Sequence, residues 1–281
     1  MRAGVAQPVE YKLPKLGVAG SIPVSRSNLH PLYLLAALLV SVVLSPYTVE
    51  AHRPPFLATE SAIPVERGHS RLDTGIQYEQ FSSNTDDFTM IAKLTYGVVQ
   101  HLDFEVEIPY LVHRLEGTVT DGFGEVVLRT KIRFLQGREA NPVSIAAQVI
   151  GKLPTSRQGL GTGEPDIGFI ALASQELFPV TVHLNLGYLF IGGPAQNSVV
   201  YSIGGEMLTV VDRLQLVAEL AGATSEPLEP NRGSSRLHVL GGGLYQLTET
   251  LMLHGALTFG LTTAAPASPD QGVTLGLTFV L

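Results

Sequence analysis

The sequence predicts an all-β protein, an antiparallel up-and-down transmembrane β-barrel of about twelve strands. Three observations predict it. Segments of roughly ten to twelve residues alternate apolar and polar side chains with period two. The connections between them alternate between tight and long. Aromatic residues on the apolar faces gather near both ends of the segments, as two interfacial girdles require.

The first 51 of the 281 residues read as a leader. Leu32–Leu44 is apolar but too short for a transmembrane helix, which needs roughly 20 residues, and it stops at Ser45-Pro46. Lys12, Lys15 and Arg26 precede it, and Val49-Glu50-Ala51 offers small residues for cleavage after Ala51. Residues 52–68 are Pro-rich and read as a flexible periplasmic segment or a short plug, and 69–281 as the barrel. Formal net charge is −7, and removing the leader's four basic and two acidic residues leaves −9. That balance argues against a nucleic-acid partner. With no cysteine, an exported chain must be held by packing and strand pairing alone.

Strands are expected at 70–81, 88–97, 101–113, 124–134, 143–154, 166–174, 180–191, 198–210, 214–223, 236–246, 251–261 and 272–281. Tight turns fall at Val98–Gln100, Gln175–Pro179, Val211–Arg213 and Leu247–Thr250. Long Gly-, Pro- and Ser-rich connections fall at Arg114–Phe123, Thr155–Pro165, Thr224–Ser235 and Thr262–Gln271. This layout gives periplasmic turns on one side and outer loops on the other. Tyr96, Tyr245 and Phe279 fall near the periplasmic ends; Phe88, Tyr110, Tyr188, Phe190 and Tyr201 fall near the outer ends. A soluble β-sandwich or barrel would also alternate, with its apolar side as core. Its strands run nearer five or six residues, and nothing in it requires loop lengths to alternate.

In a barrel, the charged face becomes the inside. Leu102, Phe104, Val106, Ile108 and Tyr110 oppose Asp103, Glu105 and Glu107. Val126, Leu128, Ile132 and Phe134 oppose Glu125, Arg129, Lys131 and Arg133. A reversal near residue 118 sets Asp103 against Arg133, Glu105 against Lys131 and Glu107 against Arg129. Neighbouring hairpins then make two rows, Lys93–Glu105–Lys131 and Glu125–Lys152–Asp166. Such rows brace the wall and fix register, or line a constriction that filters solutes by charge and size; both roles stay open. His183, Asn185, Glu206, Glu219, Arg236, His238 and His254 share the inward face as pore-lining candidates, with no serine expected beside His183 and Asn185. Pairing 238 with 258 and 254 with 242 keeps His238 and His254 too far apart for one metal ion. No metal site, cofactor or catalytic residue is expected, and no nucleophile elbow or His-Glu-x-x-His is present.

Gly122-Phe-Gly-Glu-Val-Val-Leu-Arg-Thr-Lys, Gly151-Lys-Leu-Pro-Thr, Gly161-Thr-Gly-Glu-Pro-Asp-Ile-Gly and Val182-His-Leu-Asn-Leu-Gly-Tyr together resemble the phenol-degradation meta-pathway outer-membrane proteins, also called transporter-like barrels. The resemblance covers roughly 68–281. Glu125 stands where the family usually has Asp, Ser156 where Gly often follows Pro-Thr, and Leu281 where assembly machinery prefers an aromatic. The resemblance implies an outer-membrane β-barrel found in some aromatic-degradation gene neighbourhoods, with a transport role. Expected partners are outer-membrane lipids, the barrel-assembly machinery and a small-molecule solute.

The expected function is a passive channel for small organic solutes, aromatic or hydrophobic ones among them. Its pore is expected off-centre, beside strands seven to twelve, where inward Gly, Ser, Thr and Ala leave room. The alternatives are a non-conducting structural or adhesive barrel acting through its outer loops, and an outer-membrane lipid-modifying enzyme.

Overall fold

A computed structural model describes residues 58–81, 85–138, 142–193, 197–211, 213–225, 235–262 and 269–281. The expected leader and residues 52–57 lie outside the described residues, as do most of the Thr224–Ser235 and Thr262–Gln271 connections. The strands are β1 (Ser70–Phe81), β2 (Thr85–Val99), β3 (Leu102–Leu115), β4 (Thr118–Phe123), β5 (Val127–Leu135), β6 (Val143–Lys152) and β7 (Asp166–Leu177). They continue as β8 (Val180–Phe190), β9 (Ser198–Leu208), β10 (Leu214–Ser225), β11 (Ser235–Gln246), β12 (Leu251–Gly260) and β13 (Gln271–Val280). Among the described residues no helix occurs.

Every pairing between these strands is antiparallel, and the ring closes where β1 meets β13, from Arg71↔Val280 to Gln80↔Gln271. Twelve strands make the ring; β4 hangs on β3 alone. Here the expectation of a long connection over Arg114–Phe123 is corrected. The chain reverses at Glu116-Gly117, with φ of 48° and 86°, the positive values a two-residue type I′ hairpin needs. β4 then runs back along β3 and the ladder breaks before β5. Pro109 sits at that break and accepts Gly124 N–H at 2.9 Å. A proline is tolerated there because no ladder donor is lost. The 153–165 loop covers the gap: Thr155 Oγ1 accepts Val126 N–H at 2.8 Å, and Arg157 N–H donates to the Phe123 carbonyl at 3.2 Å.

The alternation resolves into an outside and an inside. Leu94 is 48% exposed beside Lys93 at 4%; Leu186 is 61% exposed beside Asn185 at 8%. Leucines outside and carboxylates inside a closed sheet rule out the soluble reading, whose apolar side would be buried. Each of the twelve ring strands is paired with a neighbour on both sides, so the ring's backbone is satisfied within the sheet, and β4 keeps one open edge. Tyr96, Tyr245, Phe190 and Tyr201 are exposed near the strand ends, as girdle residues are. Phe279 is instead buried, between Leu72 on β1 and Leu251 on β12.

The inside is less uniformly small and polar than expected. Val217, Leu240, Leu244, Met252 and Ala256, from β10, β11 and β12, pack into a lumenal apolar cluster. The room expected beside the late strands is filled there, because the alternation that points His238 inward also points Leu240 and Leu244 inward. Burial of such side chains contributes roughly 1.5–3 kcal/mol each. Leu244→Ala is therefore expected to lower stability by about 2–5 kcal/mol, read as a shifted denaturant midpoint for the barrel refolded in detergent micelles.

Candidate functional site in the barrel lumen

Inward charge on β1, β2, β3 and β5 forms one connected network. Asp73 accepts from Thr278 Oγ1 at 2.8 Å and from Arg71 Nε at 3.0 Å, with Lys93 Nζ 3.9 Å away. Lys93 lies 3.7 Å from Glu105. Glu105 also takes Thr95 Oγ1 at 3.1 Å and Arg129 Nη1 at 2.7 Å, and the same Arg129 nitrogen binds Glu107 at 2.7 Å. A second group stands at the strand break: Lys152 Nζ is 2.6 Å from both Glu125 and Asp166. Glu125 also accepts from Gly163 N and Thr162 Oγ1, and Asp166 accepts Gly192 N–H at 2.9 Å.

The Glu125–Lys152–Asp166 row is thus present as a contact set, whereas the other row is re-paired. Asp103 faces Lys131 and Glu105 faces Arg129, each two positions from the expected partner. The reversal sits at Glu116-Gly117 rather than near 118, and the break before β5 absorbs one further residue. Glu105 therefore bridges Lys93 to Arg129, not to Lys131. Glu107 lies opposite Lys93 on β2. Arg133 does not meet Asp103; it donates to the Gln100 carbonyl at 3.1 Å and to Gln136 at 3.3 Å, at the short-turn end.

What Lys131 and Asp103 bind instead is the chain's own segment 58–69, which enters the lumen. Val65 N–H donates to Asp103 at 3.0 Å, and Lys131 Nζ lies 3.2 Å from the Glu60 carboxylate. On the opposite wall Thr59 N–H donates to Glu219 and Ala62 N–H to Ser174 Oγ at 2.8 Å. Asn185, with its amide nitrogen toward the Glu60 carbonyl at 2.8 Å, also takes the Glu60 N–H. Thr59, Ser61 and Ala62 are buried, and Ala62 packs on Ala146 and Leu172.

The segment turns in over the wall at Gly68, at a φ of 82° that favours glycine. Gly68 N–H donates to the Gly97 carbonyl at 2.8 Å. A Cβ at Gly97 would fall on the Glu66 carbonyl oxygen, so β2 requires glycine at this crossing.

Two vestibules result. The outer one, about 370 Å³, has Ala58 and Glu60 at its floor, with Glu107, Arg129, Glu219, Arg236, His238 and His254 in its wall. Ile91, Ile150, Ile170 and Leu240 are interspersed among them. The short-turn vestibule, about 820 Å³, is bounded by Ile63, Pro64, Glu66 and Arg67 of the segment and by Arg133, Ser174, Glu176 and Phe178.

His183 is not isolated from serine, contrary to the sequence reading. Ser174 Oγ lies 2.7 Å from its Nδ1 and Glu206 lies 3.0 Å from its Nε2. β7 runs on to Leu177, past the start of the expected turn at Gln175–Pro179, and the two-residue turn at 178–179 pairs Ser174 with His183 directly. The order is the reverse of a Ser-His-acid triad, in which serine meets Nε2 and the acid meets Nδ1. Ser174 is moreover buried beneath Ala62. The trio anchors the segment. His238 pairs with Gly260 and His254 with Leu244, again two positions from expectation, because the β11–β12 reversal centres one residue later. Among the described residues no group of three or more His, Cys, Asp or Glu could hold a metal ion.

No protein-family model matches the sequence, and no curated protein matches it. Solved structures do. The chain is similar to a COG4313 outer membrane channel from Pseudomonas putida F1, with TM-score 0.66 and 14% identity over 82% of this chain and 100% of that one. It is also similar to the NanC porin, with TM-score 0.56 and 9% identity over 74% of this chain and 98% of that one. The fold is that of an outer-membrane β-barrel. At these identities the likeness concerns the barrel alone, and side-chain roles rest on the contacts above. Arg71, Asp73, Ser174 and Glu60 were absent from the sequence-derived candidates. Alternation along β1 carried the signal for Arg71 and Asp73; nothing local carried it for Glu60.

Removing Arg129 leaves two carboxylates without their shared cation, and breaking a buried pair costs about 3–5 kcal/mol. Arg129→Met is expected to lose about that much stability in denaturant unfolding, while Arg133→Met stays within about 0.5 kcal/mol of wild type. A register that set Arg133 against Asp103 would give comparable losses for both.

Proposed function

We propose that this chain is a passive outer-membrane channel for small organic solutes, narrowed by its own residues 58–67. The observation that carries the reading is the division of the lumen. A ring of twelve strands lies between the filled eight-stranded and the water-filled sixteen-stranded cases. Here it holds a vestibule on each side of one short segment. That segment is held largely through its backbone N–H groups, on acceptors of both walls. Each such bond contributes only about 0.5–1.5 kcal/mol net, or up to about 3 kcal/mol to a charged acceptor, so displacement is affordable one contact at a time.

Aromatic or otherwise apolar solutes carrying a polar group are the proposed cargo. The resemblance to phenol-degradation meta-pathway proteins favours them. So does the outer vestibule, where isoleucines alternate with Arg129 and Arg236, a surface for an aromatic face beside a guanidinium. Residues 1–51 are proposed as the export leader, so that the amino terminus of the outer-membrane form is His52. Outer-membrane lipids and the barrel-assembly machinery are the proposed partners.

A non-conducting barrel is the second reading, favoured by the same buried segment. Planar-bilayer recording and liposome swelling separate the two. Wild type is expected to conduct weakly and to pass small phenols faster than sugars of equal mass. Deletion of 58–66, or Gly97→Val, is expected to raise conductance several-fold. No conductance and no swelling in wild type and in both variants would sink the channel reading.

A further inference from the structure

The short turns of a barrel ordinarily face water, yet several here are apolar. Phe178, in the β7–β8 turn, is 89% exposed, and Val210, in the β9–β10 turn, is fully exposed. Leu177, Leu208 and Val211 beside them are also exposed. The two turns touch, because Leu208 N–H donates to the Pro179 carbonyl at 3.0 Å. The β9–β10 turn is tied onward to β11 by Gln246 N–H and the Arg213 carbonyl at 2.9 Å. An apolar rim therefore runs beneath β7 to β10, interrupted in sequence by Thr209, Asp212 and Arg213. Beneath β5 and β6 the connection is polar instead, Gln136-Gly-Arg-Glu-Ala-Asn.

We infer that this rim is seated in the inner leaflet of the outer membrane, its side chains covered by phospholipid at the level of the glycerol esters. The inference rests on the outer-membrane reading and goes beyond it. Continuity argues for lipid as the occupant. On β8 the outward side chains from Leu186 through Leu184 and Val182 to Val180 lead into Phe178 with no polar residue among them. On β9 Ile203 and Met207 face outward above Val210, with Thr209 between Met207's face and the turn.

Height argues for it as well. The ten residue steps from Phe190 to Val180, at roughly 3.3 Å each and a tilt of about 40°, rise about 25 Å. That is the height of a barrel's apolar band, so the turn directly below falls at the lipid–water boundary. Since Phe178 also borders the short-turn vestibule, that mouth opens at the leaflet surface.

The chain contains no tryptophan, so a single introduced one reports without background. The experiment uses the full-length exported chain, refolded into phosphatidylcholine liposomes with and without lipid brominated near the glycerol end of the acyl chain. Four variants serve: Phe178→Trp and Val210→Trp on the rim, Leu184→Trp in the lipid-facing band, and Arg138→Trp on the polar side of the mouth. Phe178→Trp and Val210→Trp are expected to emit to the blue of Arg138→Trp, to lose most of their intensity in bromolipid and to resist aqueous acrylamide. Quenching of both by acrylamide and not by bromolipid, with Leu184→Trp quenched by bromolipid, would overturn the inference and leave the membrane reading intact. Protection of both from either quencher would overturn it in favour of a protein partner or a second copy. Failure of Leu184→Trp to respond to bromolipid would overturn the membrane reading itself.

Discussion

Everything in this molecule depends on closing the hydrogen-bond ladder around an interior that must take the charge. The outward face is predominantly apolar on the twelve strands of the ring, so no backbone N–H or carbonyl of the ring can turn to water on that side. Closure between β1 and β13 satisfies the last edge. Ionised side chains then have one direction left. Inside, away from bulk solvent, each must find a counter-charge or a donor, because an unpaired one costs several kcal/mol. The linked chain from Thr278 through Asp73, Lys93 and Glu105 to Arg129 and Glu107 is the answer on five neighbouring strands. The Lys152 group is the answer where the wall is broken.

The same constraint explains why the chain's own segment can live in the lumen. Backbone N–H groups entering a wet, acceptor-rich interior find Glu219, Ser174 and Asp103 already positioned by strand alternation. Lys131 then serves a segment carboxylate at 3.2 Å more closely than its wall partner at 4.0 Å. The wall and the segment thus share one set of polar groups. This makes the braced-wall and constriction roles of the charge two aspects of one arrangement. The Ser174–His183–Glu206 trio has the same logic: it looks catalytic by residue type, and its orientation and burial make it an anchor.

Faces were far more legible in the sequence than pairings. Which side of the wall Lys93, Glu105, His183 or His254 occupies follows from period-two alternation, and every such assignment depends only on neighbours in the chain. Partners depend on where each hairpin reverses. A turn displaced by one position moves every cross-strand pair by two, and this re-paired Glu105 with Arg129 and His238 with Gly260. Tight turns gave no exemption: the expected Gln175–Pro179 turn is the two residues 178–179, which sets Ser174 opposite His183, and the Leu247–Thr250 reversal centres one residue later than expected. In the Gly-rich stretch the reversal at Glu116-Gly117 was hidden altogether.

By itself the sequence determined the barrel, the approximate strand count and the two sides of the wall. All of these are consequences of local alternation and loop length, which no distant residue can overrule in a closed sheet. Only the tertiary structure decided what fills the lumen. Glu60 meets Lys131 across 71 positions and Thr59 meets Glu219 across 160, contacts that carry no periodic signature. They exist because the entering chain and the opposite wall compete for the same enclosed space.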